Sequence, residues 1–173
     1  TYQEMIAIKK SMGNHYPFIY ENGSGIFFKK KITFGVAHKN IKSFLEPLRR
    51  KFSFELFSEF SPHQLKKYTG LTEKHAENAI KREHSEPILW NDEYEKLKNF
   101  ITLVEKNSFV AAQGGRFLTI SGQYTKADAL LWIKKAYENE FRVPVTTIAL
   151  GDSENDIKML KIADYAILVK HPY

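Results

Sequence analysis

The 173-residue chain carries 26 Lys and Arg against 20 Asp and Glu, for a net charge of +6, with 43% hydrophobic residues and no cysteine. Missing thiols exclude disulfide scaffolds, thiolate metal sites and cysteine nucleophiles, and so large an apolar fraction excludes intrinsic disorder. No apolar run approaches the ~18 residues of a membrane span and no basic-then-apolar segment opens the chain, so a soluble, cytoplasmic protein with no membrane partner is expected.

The elements follow from periodicity and punctuation. Residues 1–12 read as a helix with Met5, Ile6, Ile8 and Met12 on one side and Gly13-Asn14 as the stop. Residues 16–20 read as a buried strand, 21–25 as a Gly-rich turn and 26–28 as a second strand before a lysine-rich hairpin. An amphipathic helix is expected over 38–51, a strand over 52–57, and two capped helices over 61–68 and 72–81. A strand at 87–90, a helix over 91–106 and two strands at 109–112 and 117–121 complete an α+β module. The last third returns to α/β order: a helix over 125–139, an apolar strand over 145–150, a helix over 157–162 and a buried strand over 165–169. The expected architecture is α/β, a core from residues 1–37 and 122–173 with a parallel sheet, and an inserted α+β domain from 38–121.

The lysines and arginines fall in short clusters, 9–10, 29–31, 49–51 and 66–67, separated by apolar segments. Solvated faces and turn ends account for that scatter better than a nucleic-acid surface, so no nucleic-acid partner is expected. Small phosphorylated substrates remain compatible with the charge.

The most informative segment is Gly151-Asp152-Ser153-Glu154-Asn155-Asp156. It follows an apolar strand and precedes a helix, the place where open α/β sheets bind ligands. Three carboxylates and an amide so close together form a hard-oxygen donor set suited to Mg2+. An acidic helix cap is the alternative for such residues, but the strand, the glycine and the Asp pair at i and i+4 favour a site. Lys126 sits one residue inside a helix N-terminus, where a cation opposes the helix dipole. Either it shares the site with an anion or it is an exposed lysine with a small penalty. In the middle module, 82–87 and Gln113-Gly114-Gly115-Arg116 offer guanidinium groups and open backbone that can hold a carboxylate or phosphate; each taken alone also reads as an ordinary turn.

These segments carry a family resemblance. Gly-Asp-Ser-x-Asn-Asp-x-x-Met-Leu at 151–160 resembles the last motif of haloacid dehalogenase-like phosphatases of the branch with a large α/β cap. The order Glu-Asn-Gly, Arg-Glu-x-Ser-Glu-Pro, Gln-Gly-Gly-Arg-Phe and a Lys-headed helix is similar to the mannosyl-3-phosphoglycerate phosphatase subfamily over essentially the whole chain. The resemblance implies Mg2+-dependent hydrolysis of a phosphomonoester through an aspartyl-phosphate, with a phosphorylated sugar-glycerate as substrate. It implies catalytic roles for Lys126, Asp152, Asn155 and Asp156, with Asp152 and Asp156 at the metal. It places Glu21, Asn22 and Gly23 near the cap, and Arg82, Gln113, Gly114, Gly115 and Arg116 against the glycerate carboxylate and sugar hydroxyls. Ser85 and Glu86 are weaker candidates.

The sequence departs from that family in one central respect. No Asp-x-Asp occurs anywhere in the chain, so the nucleophile and general acid of the family's first motif are expected to lie outside it. Ala127 replaces the glycine that usually follows the lysine. The chain therefore reads as a fragment that alone hydrolyses nothing. Another sugar-phosphate phosphatase and a non-catalytic binding protein are the alternatives.

Overall fold

The computed structural model describes residues 1–170. Helix α1 (Tyr2–Ser11) precedes three short strands, β1 (Phe18–Tyr20), β2 (Gly25–Phe28) and β3 (Lys30–Thr33), with a 3-10 turn at Glu21–Gly23. Then come α2 (His38–Leu45), a 3-10 turn at Glu46–Arg50, β4 (Phe54–Leu56) and a 3-10 turn at Phe57–Glu59. Helices α3 (Pro62–Thr69) and α4 (Glu73–Ile80), strand β5 (Ser85–Trp90), helix α5 (Tyr94–Lys106) and strands β6 (Val110–Gly114) and β7 (Phe117–Ser121) follow. The chain continues through α6 (Lys126–Phe141), β8 (Ile148–Gly151), a 3-10 turn at Glu154–Asp156, α7 (Ile157–Ile162) and β9 (Tyr165–Leu168).

Two compact units divide these elements. Unit 1 is Thr1–His15 with Gly35–Gln123, and unit 2 is Tyr16–Phe34 with the chain from Tyr124 onward. The division differs from the expected one at the N-terminus, where α1 belongs with the α+β module. The Thr1 hydroxyl donates to the Asn78 carbonyl at 3.0 Å, tying the head of α1 to α4.

Unit 1 is built on an antiparallel sheet in the order β4-β5-β7-β6. Alternation along the strands sends side chains to opposite faces. On one face Ile88, Leu118 and Ile120 join Ile41 and Leu45 of α2 and Phe100 and Val104 of α5 in a core where most of these are fully buried. Around them Phe52, Phe54, Trp90 and Phe100 stack, tilt or meet edge-on with ring centroids 5.1–6.4 Å apart. On the other face Phe117 joins Phe57, Leu65, Ala76 and Ala79 beneath α3 and α4. The helix expected over 38–51 ends at Leu45 because Pro47 lacks the N–H that would continue it and crowds the preceding turn. The helix expected from residue 91 starts at Tyr94, since the Asp92 carboxylate accepts the backbone N–H groups of Ser53 and Glu93 instead of capping.

Unit 2 contains two small sheets. The first is an antiparallel meander, β1-β2-β3, with Ile26 fully buried at its centre. Phe28 packs edge-on to Trp132 and Tyr137 of α6 at 5.7 and 5.2 Å. The second pairs β8 and β9 in parallel, Ile148 opposite Tyr165 through Gly151 opposite Leu168. The expectation that these last strands are buried is corrected: Ile148, Leu150, Tyr165, Ile167 and Leu168 are 47–79% exposed. A parallel sheet needs cover on both faces, and two strands with the six-residue α7 against them do not provide it.

Candidate active site

In unit 2 three of the singled-out segments meet. Helix α6 opens with a reciprocal cap: Asp128 N–H donates to the Thr125 hydroxyl, and the Asp128 carboxylate accepts from the Thr125 backbone N–H at 2.8 Å. Lys126 is therefore the first helical residue, and its Nζ donates to Asp156 Oδ1 at 2.7 Å. The second Asp156 oxygen accepts from the Ser153 hydroxyl at 2.9 Å and from the Asp152 backbone N–H at 3.3 Å. Asp156 is thus the organiser of the 151–156 loop. Burial pushes its carboxyl up, but the Lys126 ammonium, the Ser153 hydroxyl and the Asp152 N–H outweigh this and hold it below the usual carboxylate range. A side chain on Gly151 would overlap that of Asp156, so the loop folds this tightly only with glycine there.

The Glu21–Gly23 turn lies against the same helix start. A Cβ on Gly23 would run into the Thr125 carbonyl and the Lys126 nitrogen, and Gly23 holds φ +104. The two residues before it, Glu21 and Asn22, also sit at positive φ, 46° and 54°. Consecutive left-handed non-glycine residues are strained and concentrate at functional sites. Asn22 is exposed and Glu21 buried. The structure so brings Glu21, Asn22, Gly23, Lys126, Asp152, Asn155 and Asp156 into one unit.

Of these residues, Asp152 is the one that could hold a magnesium ion. Asp152 and Asn155 are exposed residues, the Asn155 Oδ1 accepting from the Ser153 hydroxyl at 2.7 Å, whereas Asp156 is buried with both oxygens engaged by protein donors. Among the described residues no three His, Cys, Asp or Glu groups cluster as an all-protein cage. A single carboxylate supplemented by waters and phosphate oxygens is how Mg2+ is commonly held.

The remaining candidates belong to unit 1. Arg82 donates from Nη1 to the Ser85 hydroxyl at 3.1 Å, and its guanidinium carbon stands 5.5 Å from the centre of the Phe57 ring. Its buried Nε has no hydrogen-bond partner among the described residues. Gln113 donates its side-chain amide to the Gly115 carbonyl at 2.8 Å and, more loosely, to the Phe117 carbonyl, so it closes the β6–β7 turn. Gly115 holds φ +57 in that turn, while Gly114 and Arg116 are exposed. Two residues escaped the sequence reading: His38 and Ser58, both bound to the fully buried Glu86. The available signal was a carboxylate inside the apolar run Ser85–Trp90.

The sequence profile of the haloacid dehalogenase-like hydrolases matches residues 1–171. Among curated proteins, the chain is 32% identical to a glucosyl-3-phosphoglycerate/mannosyl-3-phosphoglycerate phosphatase of Persephonella marina, over 99% of this chain and 70% of that protein. It is 32% identical to a protein of the same name from Methanococcoides burtonii, over 91% of this chain and 65% of that protein. In fold it resembles a crystal structure of protein 0175 from Thermoplasma acidophilum, with a TM-score of 0.65 and 20% identity, covering 92% of this chain and 61% of the other. Among the described residues no helix is long and apolar enough to cross a membrane. A family match running nearly end to end, on a loop, lysine and strained turn gathered in one unit, shows that the chain belongs to the haloacid dehalogenase-like hydrolases.

Proposed function

We propose that this chain is part of a Mg2+-dependent phosphomonoester hydrolase that removes the phosphate of mannosyl- or glucosyl-3-phosphoglycerate. The observation that carries the reading is the Lys126–Asp156 pair, which fixes an ammonium group at the mouth of an acidic strand-to-helix loop. The names of the two curated relatives supply the substrate class. In this reading Asp152 would hold the metal, Asn155 would hold a water or a phosphate oxygen, and Asp156 keeps Lys126 in place. When bound, the ion neutralises negative charge on the transferring phosphoryl group.

The chain's own residues position and neutralise, which is most of what phosphoryl transfer requires of a protein. Lys126 offsets charge at the phosphoryl oxygens. The Glu21–Gly23 turn, braced on the start of α6, holds Asn22 exposed beside it. In unit 1, Arg82 takes the glycerate carboxylate and the 113–116 hairpin, with Gly114, Gly115 and Arg116, takes sugar hydroxyls through backbone and guanidinium. Gln113 keeps that hairpin closed. The nucleophilic carboxylate, which forms and then loses an acyl phosphate, comes from outside these 173 residues, so hydrolysis belongs to the whole protein.

The test is phosphate release by the full reading frame containing this chain, with Mg2+, from mannosyl-3-phosphoglycerate and a panel of other sugar phosphates. Release that Asp152→Asn reduces at least about a hundredfold supports the reading. An enzyme indifferent to the phosphoglycerates but active on another sugar phosphate removes the substrate assignment. No phosphate release from any of them removes the reaction.

A further inference from the structure

Glu86 is the most conspicuous polar group in unit 1. It occupies the second position of β5, on the face that carries Ile88, and is 0% exposed. A carboxylate buried there is costly unless its oxygens are bonded. Both are. Oε1 accepts the Ser58 backbone N–H at 2.9 Å, and Oε2 pairs with His38 Nε2. The His38 backbone N–H also donates to the Glu83 carbonyl at 2.7 Å. One carboxylate therefore joins β5, the first residue of α2 and the Phe57–Glu59 turn.

What that turn carries is the Phe57 ring, over which the Arg82 guanidinium lies. Cation–π contact and the Ser85 hydroxyl fix the guanidinium from two sides. Two buried donors in this neighbourhood lack partners among the described residues, Arg82 Nε–H and the Ser58 hydroxyl. Ser58 is itself the residue that Glu86 holds. Buried polar groups are nearly always bonded, so an orphan pair on pinned residues points to a ligand that supplies the acceptors. A carboxylate or phosphate oxygen meets that need, since a guanidinium presents donors in a fixed fork.

We infer that the Glu86–His38 pair is a positioning couple: it pins the Phe57–Glu59 turn to β5 and thereby sets Arg82 and the Ser58 hydroxyl as joint donors to an acidic group of the ligand. Naming that group as the glycerate carboxylate rests on the sugar-phosphate reading; the couple itself does not. Glu86 touches no substrate.

The test uses the 15N-labelled 173-residue chain. Its Arg82 Nε–Hε correlation is identified by its loss in Arg82→Lys and followed in Glu86→Leu, Glu86→Gln and His38→Gln. Leucine fills the space of Glu86 but takes away the acceptor of the buried Ser58 N–H and the partner of His38, and removing one side of a buried polar contact is destabilising. Glu86→Leu is expected to lower the thermal midpoint, displace the Arg82 resonance and weaken binding of 3-phosphoglycerate, the probe, about tenfold. Glu86→Gln, which keeps an acceptor for Ser58, is expected to restore most of the resonance position and of the affinity. Should Glu86→Leu fail to fold, His38→Gln gives the same readout with the carboxylate left in place. An Arg82 resonance unmoved in both folded variants overturns the couple. A resonance that moves while wild-type chain binds no 3-phosphoglycerate supports the couple and removes the glycerate assignment of Arg82.

Discussion

The Nζ of Lys126 lies 2.7 Å from Oδ1 of Asp156, joining the first turn of α6 to a loop thirty residues further along the chain. That contact explains why a cation sits where the helix dipole disfavours it. It also separates two aspartates that look equivalent in sequence. Asp156 is almost buried and accepts three protein donors, whereas Asp152 is exposed. Asp156→Asn is expected to lower stability by about 1–3 kcal/mol, the penalty for disturbing buried charge-assisted bonds. Asp152→Asn should change it by less than about 0.5 kcal/mol while weakening Mn2+ or Mg2+ binding in the full protein. Urea unfolding with metal titration measures both, and equal stability losses would sink the division of roles.

A second carboxylate anchors β8 to β9. Asp164 Oδ2 accepts from Lys134 Nζ at 2.8 Å, the Thr147 backbone N–H at 2.8 Å and the Thr147 hydroxyl at 2.7 Å. The Lys134 ammonium first, then the two Thr147 donors, hold its carboxyl far below the usual value of 3.8. A carboxyl lowered on folding stabilises the native state above its unfolded pKa, and that contribution is lost as pH falls through the lower native one. The wild-type midpoint is therefore expected to drop below about pH 4. Asp164→Asn should melt lower at neutral pH, with the gap to wild type closing in acid. A gap that stays constant from neutral to acid pH would show that the charge is not what matters.

Much of this was legible beforehand, for identifiable reasons. The helices of unit 1 carry Ser61 and Thr72 at their N-caps, and α6 carries Thr125, so their starts follow from local chemistry. The 151–156 loop was legible because glycine and carboxylates between a strand and a helix form a local pattern. The placement of α1 was not, since its tie to Asn78 lies 77 residues away. Nor was the division of labour between Asp152 and Asp156, which depends on a lysine thirty residues upstream. The Glu86–His38–Ser58 set was hidden for the same reason: its members are 28 and 48 residues apart, and no local spacing marks them.

The glycines separate by what surrounds them. Gly23→Ala combines a left-handed backbone at φ +104 with a clash against the Thr125 carbonyl, which is backbone and cannot rotate away. A loss of about 2 kcal/mol or more is expected. Gly115→Ala meets nothing within 4 Å and pays only for its φ of +57, about 1 kcal/mol. Gly114→Ala, whose Cβ would meet only the Phe117 carbonyl at 4.0 Å, should be close to neutral for stability. If that bare backbone meets the sugar, Gly114→Ala nevertheless weakens substrate binding in the full protein. Denaturant midpoints paired with KM for the three variants decide it, and a Gly114→Ala enzyme with wild-type KM removes the hairpin from the binding surface.

The uncovered β8–β9 pair has a consequence for the chain in solution. Leu168 is 79% exposed and Ile148 62%, on a parallel ribbon of a kind normally buried. Exposed apolar strands promote association by edge pairing and face contact. Leu168→Lys removes apolar surface and adds charge at the exposed last residue of β9. It is expected to leave the unfolding midpoint within about 0.5 kcal/mol of wild type and to reduce self-association. Light scattering across a concentration series measures the effect, with Lys74→Leu on the exposed side of α4 as the opposite control. Scattering that Leu168→Lys leaves unchanged would mean that association, if present, proceeds through another surface.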